Sequence, residues 1–194
     1  MNKDYLVDMM IAGVCSACVP RQTKDYRINQ SPRELEALCL WIARNNIKSY
    51  LEIGLGVGGT WTFLSEQFGF SPTAGITLML HPYYLKDMKI PTNGLLLIAD
   101  SHTDAAESFA KKHGPFDLVF HDGLHTYEGM LGDYEMYKKV AKYMCFHDIA
   151  GNWGTEQLDT PKAWQEIKQK EKLIAEWIDQ VRPIGIGLVE IINA

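Results

Sequence analysis

Residues 49–60, SYLEIGLGVGGT, constrain the fold more than any other stretch of the chain. Apolar residues run straight into a glycine turn, and the turn opens an apolar helical segment. Glu52 lies two residues before the first glycine, Gly54. A parallel strand delivers its end to a ligand in this way. Gly54 permits a tight turn, Gly56 lets the backbone approach a nucleoside, and Gly58 and Gly59 let the next helix pack near the strand. A nucleotide-like cofactor is therefore expected at this turn.

The rest of the chain alternates in the same sense. Residues 1–30 lack clear periodicity and read as an N-terminal arm or cap. Ser31-Pro32-Arg33-Glu34 has the pattern of a capping box, and Leu35, Leu38, Cys39 and Ile42 follow it at helical spacing. Strands are expected at 49–54, 73–79, 94–99, 116–121 and 144–148. Helices are expected at 58–68, after an Asp100 or Ser101 cap, over 126–142, and from Thr160-Pro161 onward. Two closing strands fall at 173–178 and 185–192. Strands alternating with helices predict an α/β fold, a doubly wound, seven-stranded, mostly parallel sheet with an antiparallel last strand. Residues 31–194 read as one domain.

With 194 residues the chain can bury one sizeable core. Its net charge of −5 and the absence of a basic run exclude an electrostatic nucleic-acid binder. No apolar stretch is long enough to cross a bilayer. The early segment MMIAGVCSACV follows Asp8 and is not read as a signal, so a cytoplasmic location is expected. Cys15 and Cys18 form a lone CxxC without a partner pair, which argues against a zinc ribbon and for reduced thiols. Cys39 lies on the apolar helical stripe.

In an open α/β sheet, ligands gather beyond the carboxyl ends of the strands. Those ends carry Glu52 and the glycines, then Asp100, then His121, Asp122, Gly123 and His125, then His147 and Asp148 with Asn152 and Trp153 beyond. His121 lies inside an apolar run and reads as a core histidine. His81 and His102 receive no role. Tyr83, Tyr84 and Trp153 are candidate pocket walls. The glycine loop alone is ambiguous. Gly54, Gly56 and Gly59 satisfy GxGxxG, while Glu52 with Gly54, Gly56 and Gly58 satisfies ExGxGxG. A carboxylate beside the turn would repel a pyrophosphate, which favours S-adenosylmethionine over NAD.

Residues 117–128, DLVFHDGLHTYE, and 146–149, FHDI, together with the glycine loop, resemble class I S-adenosylmethionine-dependent methyltransferases. The likeness is to the small DGxHxY branch, similar to catechol O-methyltransferase-like, cephalosporin-hydroxylase-like and macrolide-sugar O-methyltransferases. It covers about residues 28–150. The resemblance implies cofactor contacts from Glu52, Gly54, Gly56, Gly58, Thr77, Asp100 and Asp122. It implies a divalent metal such as magnesium at Asp122 and Asp148, with His147 beside them, and His125 as general base. Two positions depart from the family pattern. Thr77 stands where an acid usually binds the ribose hydroxyls, and His147 stands where some relatives carry a second acid.

The expected reaction is methyl transfer to a hydroxyl of a small molecule. The expected partners are that small molecule and, through the N-terminal arm, a second copy of the chain; nucleic acid and membrane are not expected. A binding protein that kept the fold and lost the reaction is the first alternative, motivated by Thr77 and His147. An NAD-linked oxidoreductase is the second.

Overall fold

The computed structural model describes residues 28, 30–78, 88–150 and 159–192. The elements run in the order α1 (Pro32–Asn45), β1 (Tyr50–Ile53), α2 (Gly59–Phe68), β2 (Thr73–Thr77), β3 (Gly94–Ile98), α3 (Asp104–His113) and β4 (Phe116–His121). Then follow α4 (Tyr127–Tyr137), β5 (Ala141–His147), α5 (Thr160–Lys170), β6 (Lys172–Trp177) and β7 (Ile186–Glu190). The strands form one sheet in the order β3-β2-β1-β4-β5-β7-β6. β7 runs antiparallel to both of its neighbours, and the other pairings are parallel. The chain winds outward from β1 in one direction and from β4 in the other. The crevice between their carboxyl ends is the switch point at which such sheets bind ligands.

Alternation along the strands divides the core into two layers. Leu51, Ile53, Val119 and Met144 face one side, under Ala106 and Ala110 of α3, Met130 and Tyr134 of α4, and Trp164 of α5. Tyr50, Leu118, Phe120 and Cys145 face the other, under Leu35, Leu38 and Ile42 of α1 and Trp61 of α2. Among the described residues no helix is long and apolar enough to cross a membrane.

Several local expectations need correction. The Ser31–Glu34 capping box does not form. The loop between β6 and β7 docks on that helix start instead: Ser31 Oγ donates to Asp179 Oδ2 at 2.8 Å, and Glu34 accepts from the amides of Asp179 and Gly185 at 2.8 and 2.9 Å. Thr103, rather than Asp100 or Ser101, caps α3 by accepting from Ala106 N. The helix expected over 126–142 stops at Tyr137, a 3-10 turn spans Lys138–Val140, and strand pairing begins at Ala141 opposite Phe116. Pairing to β4 outweighs the helical stripe there. The arm over 1–30 lies outside the described residues except for Ile28 and Gln30, as do Cys15, Cys18, His81, Tyr83, Tyr84, Asn152 and Trp153.

Candidate functional site

A cavity of about 460 Å³ opens at the carboxyl ends of β1 and β4. Glu52, Gly54 and Gly56 contribute its floor from β1 and the glycine loop. Thr77 follows from β2, Asp100 from beyond β3, Asp122 and His125 from beyond β4, and His147 and Asp148 from β5 and its end. Segments distant in sequence thus converge on one space. Gly56, at φ +53, faces nothing within 4 Å of where a Cβ would stand, so the loop leaves room for a ligand at its crest. Gly58 does not line the cavity; it caps α2 in the left-handed region at φ +75.

Glu52 is buried and accepts a hydrogen bond from Tyr50 Oη at 2.6 Å. Burial pushes its carboxyl from the ordinary 4.5 up to about 8; the Tyr50 hydroxyl opposes that rise, and the nearby Asp122 charge adds to it. The carboxyl is therefore mostly neutral at pH 7 in the folded chain and ionised in the unfolded one. Unfolding releases its proton between those two pH values, so its contribution to stability declines as pH rises from about 4.5 to 8. Glu52→Gln keeps the shape and removes the proton to be lost. Its expected effect at pH 7 is a gain on the order of 2–3 kcal/mol, with a flatter stability profile from pH 5 to 8. Denaturant melts across that range measure it.

Asp122, His125, His147 and Asp148 form an ionic cluster that lines the same cavity. His125 Nε2 lies 2.9 Å from Asp148 Oδ2 and 3.5 Å from Asp122 Oδ1. His147 Nδ1 lies 3.0 Å from Asp122 Oδ1 and 3.4 Å from Asp148 Oδ2. Burial alone would raise the Asp122 carboxyl, but the imidazoles of His147 and His125 outweigh it and hold it well below the ordinary range. Hydrogen bonds to Asp122 and Asp148 lift the His125 pKa to about 9 against its burial. His147 is nearly sealed from solvent, which favours the neutral ring, yet the two carboxylates carry it to about 10. Asp148 adopts φ +60, a left-handed conformation uncommon for a non-glycine residue and costing about 1 kcal/mol. Thr160 Oγ1 donates to its carbonyl at 2.7 Å and fixes that turn.

Ligand atoms of Asp122, His125 and Asp148 all lie within 4.8 Å of one another, so two carboxylates and one imidazole could close on a single cation. This donor set suits a divalent ion of moderate hardness. The imidazole grouped with the carboxylates is that of His125. His147, named from sequence as a metal-side residue, also lines the cavity and has Nδ1 3.0 Å from the Asp122 carboxylate and 3.4 Å from that of Asp148.

Two wall residues escape sequence reasoning. Gln30 is buried, donates through Nε2 to Asp122 Oδ2 at 2.6 Å and accepts from Thr60 Oγ1 at 2.6 Å. It ties the helix after the glycine loop to the ionic cluster. It lies in the aperiodic run before α1, where no spacing marks it. His102 also lines the cavity, beside Asp100. Only its place two residues after a strand-end acid could have pointed to it.

A family model described as a methyltransferase domain matches residues 51–149, about half of the chain. No curated protein matches the sequence significantly. Among solved structures, cofactor-bound Rv0187 from MTB aligns at TM-score 0.61 and 15% identity, covering 95% of this chain and 89% of that one. The O-methyltransferase from Bacillus cereus in complex with SAH aligns at 0.59 and 15%, covering 98% and 92%. MycE methyltransferase from the mycinamycin biosynthetic pathway, in complex with Mg and SAH, aligns at 0.61 and 15%, covering 93% of this chain and 54% of that one. The present chain thus spans about half the length of MycE. At these identities the likeness is one of fold. The family match covers β1 through the residue after Asp148, which takes in the glycine loop and the whole ionic cluster, and by it the chain belongs to the methyltransferase-domain family.

Proposed function

We propose that the protein transfers a methyl group from S-adenosylmethionine to a hydroxyl of a small molecule. One observation carries this reading: the glycine loop and the Asp122–His125–Asp148 cluster line one cavity of about 460 Å³. Bound along that loop, S-adenosylmethionine supplies an electrophilic methyl carbon. The open crest at Gly56 and the strand-end groups Glu52, Thr77 and Asp100 are the proposed holders of its nucleoside and amino-acid ends. Among structural neighbours, the Bacillus cereus enzyme and MycE were both crystallised with SAH, which supports the choice of cofactor.

The cluster permits two uses of His125. With a pKa of about 9 the ring is mostly protonated at pH 7, so Nε2 can take the acceptor's proton only from the minor neutral form, with Asp122 and Asp148 stabilising the imidazolium so formed. Alternatively, the same nitrogen is the third donor beside the two carboxylates, and a divalent cation there supplies Lewis acidity to the acceptor hydroxyl. The magnesium in the MycE complex supports the second use. In both, much of the rate comes from alignment of the acceptor oxygen with the methyl carbon, which the walls of the cavity impose.

Calorimetry with S-adenosylmethionine and S-adenosylhomocysteine is the first test. One site per chain with micromolar affinity, about 10⁻⁶ M, is expected, and no heat from folded protein with either ligand refutes the reading. Transfer of labelled methyl into a panel of catechols, phenols and sugars then identifies acceptors. Turnover that survives EDTA assigns His125 as the base, and turnover abolished by EDTA assigns it as a cation donor.

A further inference from the structure

β5 and β7 lose their register at Asp148, and what holds the break in place lies outside the cavity. His147 stands opposite Ile186 in the regular antiparallel ladder. Beyond it, Ile149 N donates to Gly185 O at 3.4 Å and Ala150 N to Ile184 O at 2.9 Å. The pairing has slipped by one residue, and Asp148 is the residue left over. A bulge of this kind bends its strand and re-aims a side chain. Here it accounts for the φ of +60 at Asp148, whose residue lines the cavity.

The bulge is supported from two sides. Thr160 Oγ1 bonds to the Asp148 carbonyl from the start of α5. Gly185 lies against the other side: a Cβ on it would stand 2.7 Å from Ile149 Cγ1 and 3.2 Å from Ala150 Cβ, and its φ of +88 favours glycine.

Gly185 is in turn held from α1. Its amide and that of Asp179 both donate to Glu34 Oε1, at 2.9 and 2.8 Å. Glu34 Oε2 makes no hydrogen bond among the described residues, so a single oxygen pins both ends of the loop between β6 and β7. Glu34 is buried, and hydrogen bonds to a carboxylate shielded from water are among the stronger ones. The remaining ties of this loop to α1 reach only Asp179. Ser31 Oγ bonds to its carboxylate at 2.8 Å, and Arg33 approaches it at 3.7 Å with a largely exposed guanidinium, a contact worth little. The hold on Gly185 is therefore that of Glu34.

We propose that Glu34 is a positioning residue for the ionic cluster: through Gly185 it fixes the bulge that aims Asp148 at His125 and at a cation beside Asp122. This rests on the cluster being the working end of the proposed methyl transfer. It extends that reading to a side chain on α1 that does not line the cavity.

Mn²⁺ affinity by electron paramagnetic resonance and amide exchange by NMR test it, on the full chain well below its melting temperature. Glu34→Ala removes the acceptor. It is expected to weaken Mn²⁺ binding about tenfold, the scale of losing an outer support of a metal ligand. Exchange at the Ile149 and Ala150 amides should quicken about tenfold or more, and S-adenosylhomocysteine affinity should stay within about twofold. Glu34→Gln keeps a carbonyl oxygen for the two amides and should stay within about twofold of wild type in each readout. A folded Glu34→Ala protein that melts lower but keeps wild-type Mn²⁺ affinity has lost stability alone, and overturns the inference. Equal losses of Mn²⁺ and S-adenosylhomocysteine affinity overturn it also, as does a glutamine variant as impaired as the alanine one. A wild type that binds no Mn²⁺ overturns the cation reading of the cluster, and amide exchange in the two variants then decides the role of Glu34 by itself. If Glu34→Ala does not fold, exchange in the wild type decides. Opening of Gly185, Ile149 and Ala150 together supports the inference, and opening of Ile149 and Ala150 while Gly185 stays protected refutes it.

Discussion

Gly54→Ala is expected to dismantle the cavity, whereas Gly56→Ala, two residues on, is expected to leave the fold standing. A Cβ on Gly54 would lie 2.1 Å from the Asp122 carbonyl oxygen, 2.4 Å from its carbonyl carbon and 2.5 Å from Gly123 Cα. All three are backbone atoms, and no rotamer moves them away. The loops after β1 and β4 are also tied into the sheet, because Gly54 N donates to Ile76 O at 2.9 Å and Asp122 N to Ile53 O at 2.8 Å. Relief of the overlap must break those bonds. The positive φ of +85 adds strain of about 1–2 kcal/mol for any L side chain. Together these place the cost at about 4 kcal/mol or more, a fall in Tm of roughly 10 °C for a chain this long. Gly56 has the same kind of backbone, φ +53, but open space around it. Its alanine variant should lose about 1 kcal/mol of stability and about tenfold or more in S-adenosylhomocysteine affinity, since the new methyl projects where the ligand is expected. Thermal melts and calorimetry on the pair separate the two glycines. A Gly54→Ala protein melting within about 3 °C of wild type would show that the two loops do not meet this closely.

The contrast between these glycines also marks what a sequence can disclose. A strand that runs into a glycine turn is a local pattern, and so are the apolar runs before Asp100, Asp122 and Asp148. The sheet, its winding and the gathering of these residues at one edge follow from that pattern, because connections in such folds are short and of one hand. Competition between partners is not local. Ser31 and Glu34 read as a capping box, yet the loop after β6, some 145 residues away, takes both side chains. His147 read as a metal-side ligand because it precedes Asp148. His147 does lie against both carboxylates, but His125, from another segment, also closes on them, and no local pattern showed that. Gln30 and His102 were invisible for the same reason. Each acts through a contact with a residue far along the chain, Gln30 with Asp122 and His102 with Asp133, and neither sits in a periodic pattern.

Asp122→Asn is expected to have the largest effect on the chemistry. This carboxylate is the meeting point of the site: Oδ2 accepts from Gln30 Nε2 at 2.6 Å, and Oδ1 faces His147 Nδ1 at 3.0 Å and His125 Nε2 at 3.5 Å. Every neighbour is a donor. An asparagine amide must turn its NH₂ toward either Gln30 or the imidazoles, so one contact becomes donor against donor. The substitution also leaves His125 and His147 with Asp148 as their one remaining carboxylate in the cluster, and removes a charged ligand from the set that could close on a cation. Mn²⁺ affinity, read by electron paramagnetic resonance, should fall about 100-fold, and methyl transfer to whichever acceptor the wild type uses should fall about 1000-fold. S-adenosylhomocysteine affinity should fall far less than turnover, because Asp122 is one of several groups lining the cofactor's cavity. Gln30→Ala provides the graded comparison. It deletes one hydrogen bond and keeps the charge, so a loss of about tenfold in turnover is expected, with cation affinity nearly intact. If Asp122→Asn turns over within tenfold of wild type while still binding S-adenosylhomocysteine, the cavity holds the cofactor but the ionic cluster plays no part in moving the methyl group.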